Sequence, residues 1–581
     1  MASWPGFCLC LPLLCGALRV DFDKVQAVVG PSPAPSPGEV APVRIGTWLS
    51  AESAHLSERE DARVRGAAEL AASTVSSFLS VRPVLSPLLL GRDVSKYCRF
   101  LWKNSSSVNY NRCGQAKKNY KHETCLDMKI PDEHLAGCKV HPQANSTRAV
   151  VLRRPGAGVA DVDFLFYLHV QASDKCRAQP GLLAYAAHCR TDAGGRPLAG
   201  VVVLCKDRLT KLTAQTVLHE LLHALGFSKD LFDTWRDCSS ENDFSAGVTC
   251  SPRGKVTHVD GWGQMRLYTP AVISALRRHL VAADPEMGAP LENWDAAPGM
   301  VSSHWESRLL QGSVMLATPS RSGIARIDPL TLAAFRDTGW YVVDASRAQN
   351  LVWGKGEGAL FGSTSTCHDN SSSFFCSGSG LGCHHLHGHK ARCQSDHYLD
   401  GCRIYKPLEK GSECWEKANE RNSSEERQGG EIFGSDSRCF FSHLSTLNHS
   451  QLMVTGRCYR HKCSGRNRYQ VQVLGADWVD CPAGGSIQIR GYRGSVFCPN
   501  ERLCLDRDVR PPSKAKEGVP TGQPEVTILQ DDTRSAYGPA TDPLVTTALC
   551  VVATLSVLVF GLASSRGSPC KVRIHPALGD V

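Results

Sequence analysis

"TVLHELLHALGFS", residues 216–228, sets two histidines four positions apart with a glutamate directly after the first. On an α-helix, positions i and i+4 lie one above the other on one face, so His219 and His223 aim both imidazoles at one point. Glu220 stands beside that face. Val217, Leu218, Leu221, Leu222 and Leu225 cover the other faces, and Thr213 has the chemistry of an N-cap, so the pattern predicts an apolar helix following Thr213. Zinc takes imidazole nitrogens at roughly 2.0–2.1 Å, and a catalytic zinc keeps one position for water, which a nearby carboxylate can deprotonate. His-Glu-x-x-His supplies two ligands and that base within one helical turn. The competing reading is a buried helix whose histidines are hydrogen-bonded core residues.

Gly226 extends the pattern to His-Glu-x-x-His-x-x-Gly, the metzincin form, in which a glycine turns the chain sharply out of the helix and brings back a third ligand. Three residues beyond it stands Lys229, which cannot act as a neutral imidazole, so the third histidine must come from further on. His258, His279 and His304 are the candidates ahead of the cysteine-rich region. His279, in "SALRRHLVAA", reads as a solvated helix residue, and His258, in "KVTHVDGW", has no partner motif. His304 stands in "SSHWESRLLQGSVMLATPS", upstream of Met315, and a methionine in a tight turn is the second metzincin hallmark.

These residues resemble the leishmanolysin zinc metallopeptidases, whose interrupted metzincin motif carries a long insertion before the third histidine. "HELLHALGFS", "SSHWESRL" with its following Met, "FRDTGWY" (335–341) and "WGKGEG" (353–358) are similar to that family. So are "KYCRF", "NYNRCG", "ETCLDMKIPDEHLAGC" and "GRPLAGVVVLC" upstream. The resemblance runs from about Val43 into the cysteine-rich region and is strongest to a membrane-tethered animal member. It implies an α+β metzincin-type zinc peptidase domain with an insertion, one catalytic Zn2+ and endopeptidase activity. It assigns His219, His223 and His304 as ligands, Glu220 as general base and Met315 as the Met-turn. Two cysteines that family members often carry, after "RRH" and after "WGxGxG", are missing here, as is a cysteine between Cys15 and Cys98 that could cap the zinc from a prosegment.

The remaining sequence frames this domain. "FCLCLPLLCGAL" reads as a signal peptide within 1–18, followed by a Pro-rich linker at 19–42. "VRIGTWLS" from Val43 reads as a first strand, "SEREDARVRGAAELAASTVSSFL" as a helix, and "RAVVLRR", "DFLFYLHV" and "GRPLAGVVVLC" as further strands, giving an α+β arrangement. The expected divisions are an N-terminal peptidase subdomain at 43–236, the insertion at 237–300, and the third ligand with its Met-turn at 301–345. A separate disulfide-stapled module with little apolar core follows at 346–510, then a stalk at 511–543. Leu544–Ala563 is an uncharged run long enough to cross a hydrocarbon core of about 30 Å. Arg566, Lys571 and Arg573 follow it, so the tail at 564–581 is expected in the cytosol and the chain at the plasma membrane as a single-pass type I protein.

The chain holds 26 cysteines, a usage that fits an oxidising compartment. Setting aside Cys8, Cys10 and Cys15 near the N-terminus and Cys550 and Cys570 near the C-terminus leaves an odd number. One thiol is therefore free, pairs between chains, or has lost a partner. Sequons at Asn104, Asn145, Asn370, Asn422 and Asn448 agree with secretion. The formal net charge of +9 is mild and its lysines and arginines are dispersed, so no nucleic-acid partner is expected. The expected partners are extracellular protein or peptide substrates, with membrane attachment through the C-terminal helix. His384, His385, His387 and His389, in "CHHLHGHKARC", read as surface-loop histidines with a second metal site as the alternative. The rival to an enzyme is a cell-surface receptor or adhesion protein on a catalytically silent metzincin scaffold. A developmental role in left-right patterning is the narrower expectation from the resemblance.

Overall fold

Alternating apolar residues in the first half of the chain build a four-stranded sheet. The computed structural model describes residues 40–505 apart from 239–249, 255, 285, 298, 319–324, 364–366, 368–371, 447–452, 466–467 and 500–501. The signal peptide, most of the Pro-rich linker, the stalk, the span at 544–563, the tail, and Asn370 and Asn448 lie outside the described residues. Among the described residues no helix is long and apolar enough to cross a membrane. Asn104, Asn145 and Asn422 are exposed.

Strand β1 (Ile45–Leu49), helix α1 (Glu58–Ser76), strands β2 (Phe164–Gln171), β3 (Ala184–Thr191) and β4 (Pro197–Cys205) and helix α2 (Ala214–Leu225) form the first layers. The sheet order is β3-β4-β2-β1, with β2 parallel to both β1 and β4, and β3 antiparallel to β4 at the edge. Phe164, Phe166, Leu168 and Val170 alternate toward α1 and α2, where Val64, Ala68, Ala71 and Val75 meet Val217, Leu221 and Leu222. Leu165, Tyr167, Ala199 and Val201 face the other way, onto Leu88, Leu90, Met128, Ile130 and Leu135. Both sheet faces are thus covered, which is why β4 reads as a continuous apolar run.

The zinc-motif helix lies close on this sheet because of Gly200 on β4. A Cβ there would stand 2.6 Å from Ala224 Cβ and 3.0 Å from Phe164 Cζ, so only glycine admits α2 at this depth. Thr213 caps α2, accepting from Thr216 N–H at 3.2 Å.

The insertion is woven into the same core. A three-stranded sheet (Thr257–Val259, Met265–Leu267, Ala289–Pro290) and helix α3 (Pro270–Leu280) pack beside α4 (Pro329–Asp337). Asp337 Oδ2, at the end of α4, accepts from Ala271 and Val272 N–H at 2.8 and 3.1 Å, capping α3. His279 is not a solvated helix residue as expected: it is half-buried, and its Nε2 donates to the Trp353 carbonyl at 2.7 Å. Gly356 and Gly358 N–H bond the carbonyls of His279 and Leu280 at 2.9 and 2.8 Å, so hydrogen bonds join the two segments where family cysteines are missing.

The core also runs past residue 346, where the sequence suggests a separate module. Leu351, Trp353, Phe361, Phe374, Phe375, Leu399 and Ile404 belong to the main apolar cluster. Further on, strands β5 (Ser437–Ser442), β6 (Thr455–Gly465), β7 (Arg468–Gln472) and β8 (Val479–Pro482) belong to a six-stranded sheet with its own core of Phe440, Tyr459, Tyr469, Val471 and Val496. The module therefore has more apolar core than its composition suggests. His384, His387 and His389 are buried in it rather than displayed on a surface loop. Ten disulfides staple the described chain, six of them from Cys367 onward, and the unpaired thiol is the buried Cys138.

Candidate metal centre

Helix α2 carries His219 and His223 on one face, and an irregular loop after the insertion brings His304 to meet them. The three Nε2 atoms stand 3.0 Å (His219–His223), 3.1 Å (His223–His304) and 3.2 Å (His219–His304) apart. Ligands at three corners of a tetrahedral zinc site, each roughly 2.0–2.1 Å from the ion, stand about 3.3–3.4 Å apart. Among the described residues this is the sole group of three histidine, cysteine or carboxylate side chains whose ligand atoms lie within 4.8 Å of one another.

The hydrogen bonds of the other ring nitrogens fix which lone pairs face the centre. His219 Nδ1 donates to the Val314 carbonyl at 2.6 Å and His223 Nδ1 to the Phe227 carbonyl at 2.7 Å. A carbonyl oxygen only accepts, so the proton sits on Nδ1 and each Nε2 presents a bare lone pair. His304 Nδ1 points to the Asp295 carboxylate, with the same consequence. Converging lone pairs repel unless a cation lies between them, and this donor pattern is the usual outer shell of histidine metal ligands. Burial, then the facing His304 ring, pushes His219 down to about 3. His223 is held well below the ordinary histidine value by burial and by both neighbouring rings. Both imidazoles are neutral at pH 7, the form that metal ligation requires.

Glu220, next in chain to the first histidine, is buried on α2. Burial pushes its carboxyl up to about 8, against the Lys175 ammonium and a hydrogen bond from the Ala186 backbone on edge strand β3. Lys175 lies on the short helix Asp174–Ala178, its Nζ 4.4 Å from the Tyr185 ring centre, and the Cys176–Cys205 disulfide ties that helix to the end of β4. A buried carboxyl thus follows directly in the chain on the first of three metal-ready imidazoles.

The turn carrying Met315 joins the site through its neighbour Val314, whose carbonyl holds His219. Met315 is fully buried, its carbonyl accepts from Trp305 N–H at 2.9 Å, and its N–H donates to Ser313 Oγ at 3.2 Å. Trp305 follows His304 directly, so this bond ties the Met-turn to the third histidine. Gly226 ends α2 at φ 154°, with Phe227 placed to receive His223 Nδ1.

His258 stays apart, stacked on Tyr268 with ring centres 3.7 Å apart. Of the histidines at 384–389, His387 Nδ1 donates to Cys439 O, His389 Nδ1 bonds Ser412 Oγ and His385 packs on Trp353, while His384 Nδ1 and His389 Nε2 are buried with no hydrogen-bond partner among the described residues. Sequence reasoning missed Asp295, Val314, Phe227, Ala186 and Lys175. Three of these act through backbone atoms and leave no side-chain signature. Asp295, nine residues before His304, could have been sought as a carboxylate near a loop histidine.

Three converging imidazoles followed in the chain by a buried carboxyl are the groups that a metallopeptidase would use. A family model described as leishmanolysin matches residues 139–404 and 384–509, and the chain belongs to that family. It is 48% identical over 559 residues to the ciliated left-right organizer metallopeptidase of Danio rerio, covering 92% of this chain and 88% of the relative. The protein of the same name from Homo sapiens is 40% identical, over 81% of this chain and 69% of its own length. A leishmanolysin-like peptidase of Drosophila melanogaster is 33% identical over 42% of this chain and 40% of its own length.

Proposed function

We propose that this chain is a zinc-dependent endopeptidase that cleaves extracellular protein or peptide substrates at the cell surface. The observation that carries this is the convergence of three Nε2 lone pairs within 3.2 Å of one another beside the buried Glu220. His219, His223 and His304 hold one Zn2+, and Met315 forms the turn that secures the first and third of them. Bound zinc supplies Lewis-acid polarisation of the scissile carbonyl and lowers the pKa of water. Glu220 accepts the proton of the attacking water and returns it to the leaving amine nitrogen. The outer edge of β3, next to α2, offers backbone groups to an extended peptide, which supports cleavage within a chain rather than at its ends.

Disulfide usage, exposed sequons, the apolar N-terminal run, and Leu544–Ala563 with the basic residues after it support a single-pass type I protein at the plasma membrane. The names of the Danio rerio and Homo sapiens relatives support a role in left-right patterning. The test is cleavage of a diverse peptide library by the ectodomain after chelator treatment and zinc return. Activity that disappears with the metal and reappears at one zinc per chain supports the reading. Cleavage indifferent to chelation contradicts it.

A further inference from the structure

The three ligands are not fixed alike. His219 and His223 ride on a helix, and backbone carbonyls hold their Nδ1 atoms. His304 sits on a loop, and its Nδ1 is held by a side chain, Asp295. Asp295 lies on the irregular run after Glu292, so its own position needs an anchor.

That anchor comes from the cysteine-rich module. Asn293 Nδ2 stands 3.2 Å from Asp400 Oδ2, Trp294 Nε1 donates to Asp400 Oδ1, and Arg308 Nε pairs with Asp400 Oδ2 at 2.9 Å. The His397 ring meets Trp294 edge to face at 6.4 Å. Asp400 ends the short turn His397–Leu399 in the left-handed region, at φ 46°, and lies two residues before Cys402, whose disulfide runs to Cys367. Three side chains around the third ligand therefore meet at one carboxylate 92 to 107 residues away in sequence.

We infer that Asp400 is a positioning residue for the third metal ligand: through Asn293 and Trp294 it fixes the turn that presents Asp295 to His304, so the cysteine-rich module completes the metal centre. The inference rests on the zinc reading above. It makes the module part of the metal site, so that loosening it loosens zinc.

The test is zinc affinity of the full ectodomain by competition with a chromophoric chelator, for wild type, Asp295→Asn, Asp400→Asn and the double variant. Asparagine tolerates the left-handed backbone at 400, so the turn survives while the charge is lost. Loss of an outer-shell partner weakens metal affinity about 10–100-fold, which is expected for Asp295→Asn and, toward the lower end, for Asp400→Asn. Because Asp400 acts through Asp295, the double variant is expected to bind no more weakly than Asp295→Asn alone. The melting midpoint of the zinc-free protein is expected to stay near wild type. Should Asp400→Asn fail to form its disulfides, Trp294→Phe removes one contact from an exposed ring and is expected to weaken zinc in the same direction. Zinc affinity of Asp400→Asn, or in that event of Trp294→Phe, within about twofold of wild type overturns the inference, as does full additivity of the two Asp variants. Wild type that takes up no zinc overturns the functional reading itself, a result distinct from both.

Discussion

Replacing Gly200 with alanine is expected to push the ligand-bearing helix off the sheet. The new methyl would stand 2.6 Å from Ala224 Cβ, 3.0 Å from Phe164 Cζ and 3.1 Å from the Ala187 carbonyl. Carbon atoms prefer roughly 3.5–4.0 Å, so the methyl and Ala224 must separate by about 1 Å. Neither partner is the far end of a flexible chain: one is a helix Cβ, another a ring inside the core. Overpacking of this kind costs about 1–3 kcal/mol, and a displacement of about 1 Å at a catalytic centre can cost about a hundredfold in rate. Ala224 lies one residue past His223, so the strain falls on the ligands. The assay pairs guanidinium unfolding of the ectodomain with kcat/KM on a cleaved peptide. Adding Ala224→Gly removes the closest clash at a helix-propensity cost of about 1 kcal/mol, and the double variant is expected to recover part of the lost activity. Gly200→Ala with wild-type stability and wild-type kcat/KM would refute the reasoning.

Three further outcomes follow from the packing. Burial, then the neighbouring His389 and His387, holds His384 down to about 3, while burial and Arg190 hold His188 down to about 4. The unfolded chain binds protons at these sites below about pH 6.5 and the folded chain does not, so stability falls as pH drops from there toward about 4. The slope reaches about 1.4 kcal/mol per pH unit for each histidine, and His384→Gln is expected to flatten it in pH-dependent unfolding; an unchanged slope contradicts the assignment. Thiol labelling of the ectodomain is expected to find Cys138 only after denaturation, because that thiol is buried and the other described cysteines are paired. Labelling under native conditions contradicts this. Thr213→Ala removes the cap of α2 and is expected to cost about 1 kcal/mol in unfolding free energy, with zinc still bound.

Elements with a period were legible in the sequence. Val217, Leu221 and Leu222 recur at helical spacing after the Thr213 cap, and Phe164, Phe166 and Leu168 alternate as a strand, so α2 and β2 fall where the pattern puts them. His219, His223 and Glu220 were legible because one helical turn brings them together. His304 was not legible from spacing alone, since a loop of irregular conformation delivers it; setting aside His258 and His279, the methionine at 315 downstream and the family resemblance singled it out. The carbonyls of Val314 and Phe227 and the backbone of Ala186 carry no sequence signal at all. His384 and His389 were misread because their cover comes from remote segments: His389 meets Ser412 and Trp415, and the Cys383–Cys439 bridge closes the chain over this run. His279 was misread for the same reason, its partner being Trp353. Disulfide pairing follows from three-dimensional proximity, so the odd cysteine could be counted in the sequence but became Cys138 only in the fold.

The central claim is that three imidazoles hold zinc while Glu220 moves the proton. The most direct measurement is peptide cleavage by Glu220→Gln beside wild type, with zinc content determined in the same preparations. The account predicts one zinc per chain in both proteins and a loss of at least about a hundredfold in kcat in the variant, within the usual range for removing a general base. A zinc-loaded variant that cleaves at the wild-type rate would contradict it.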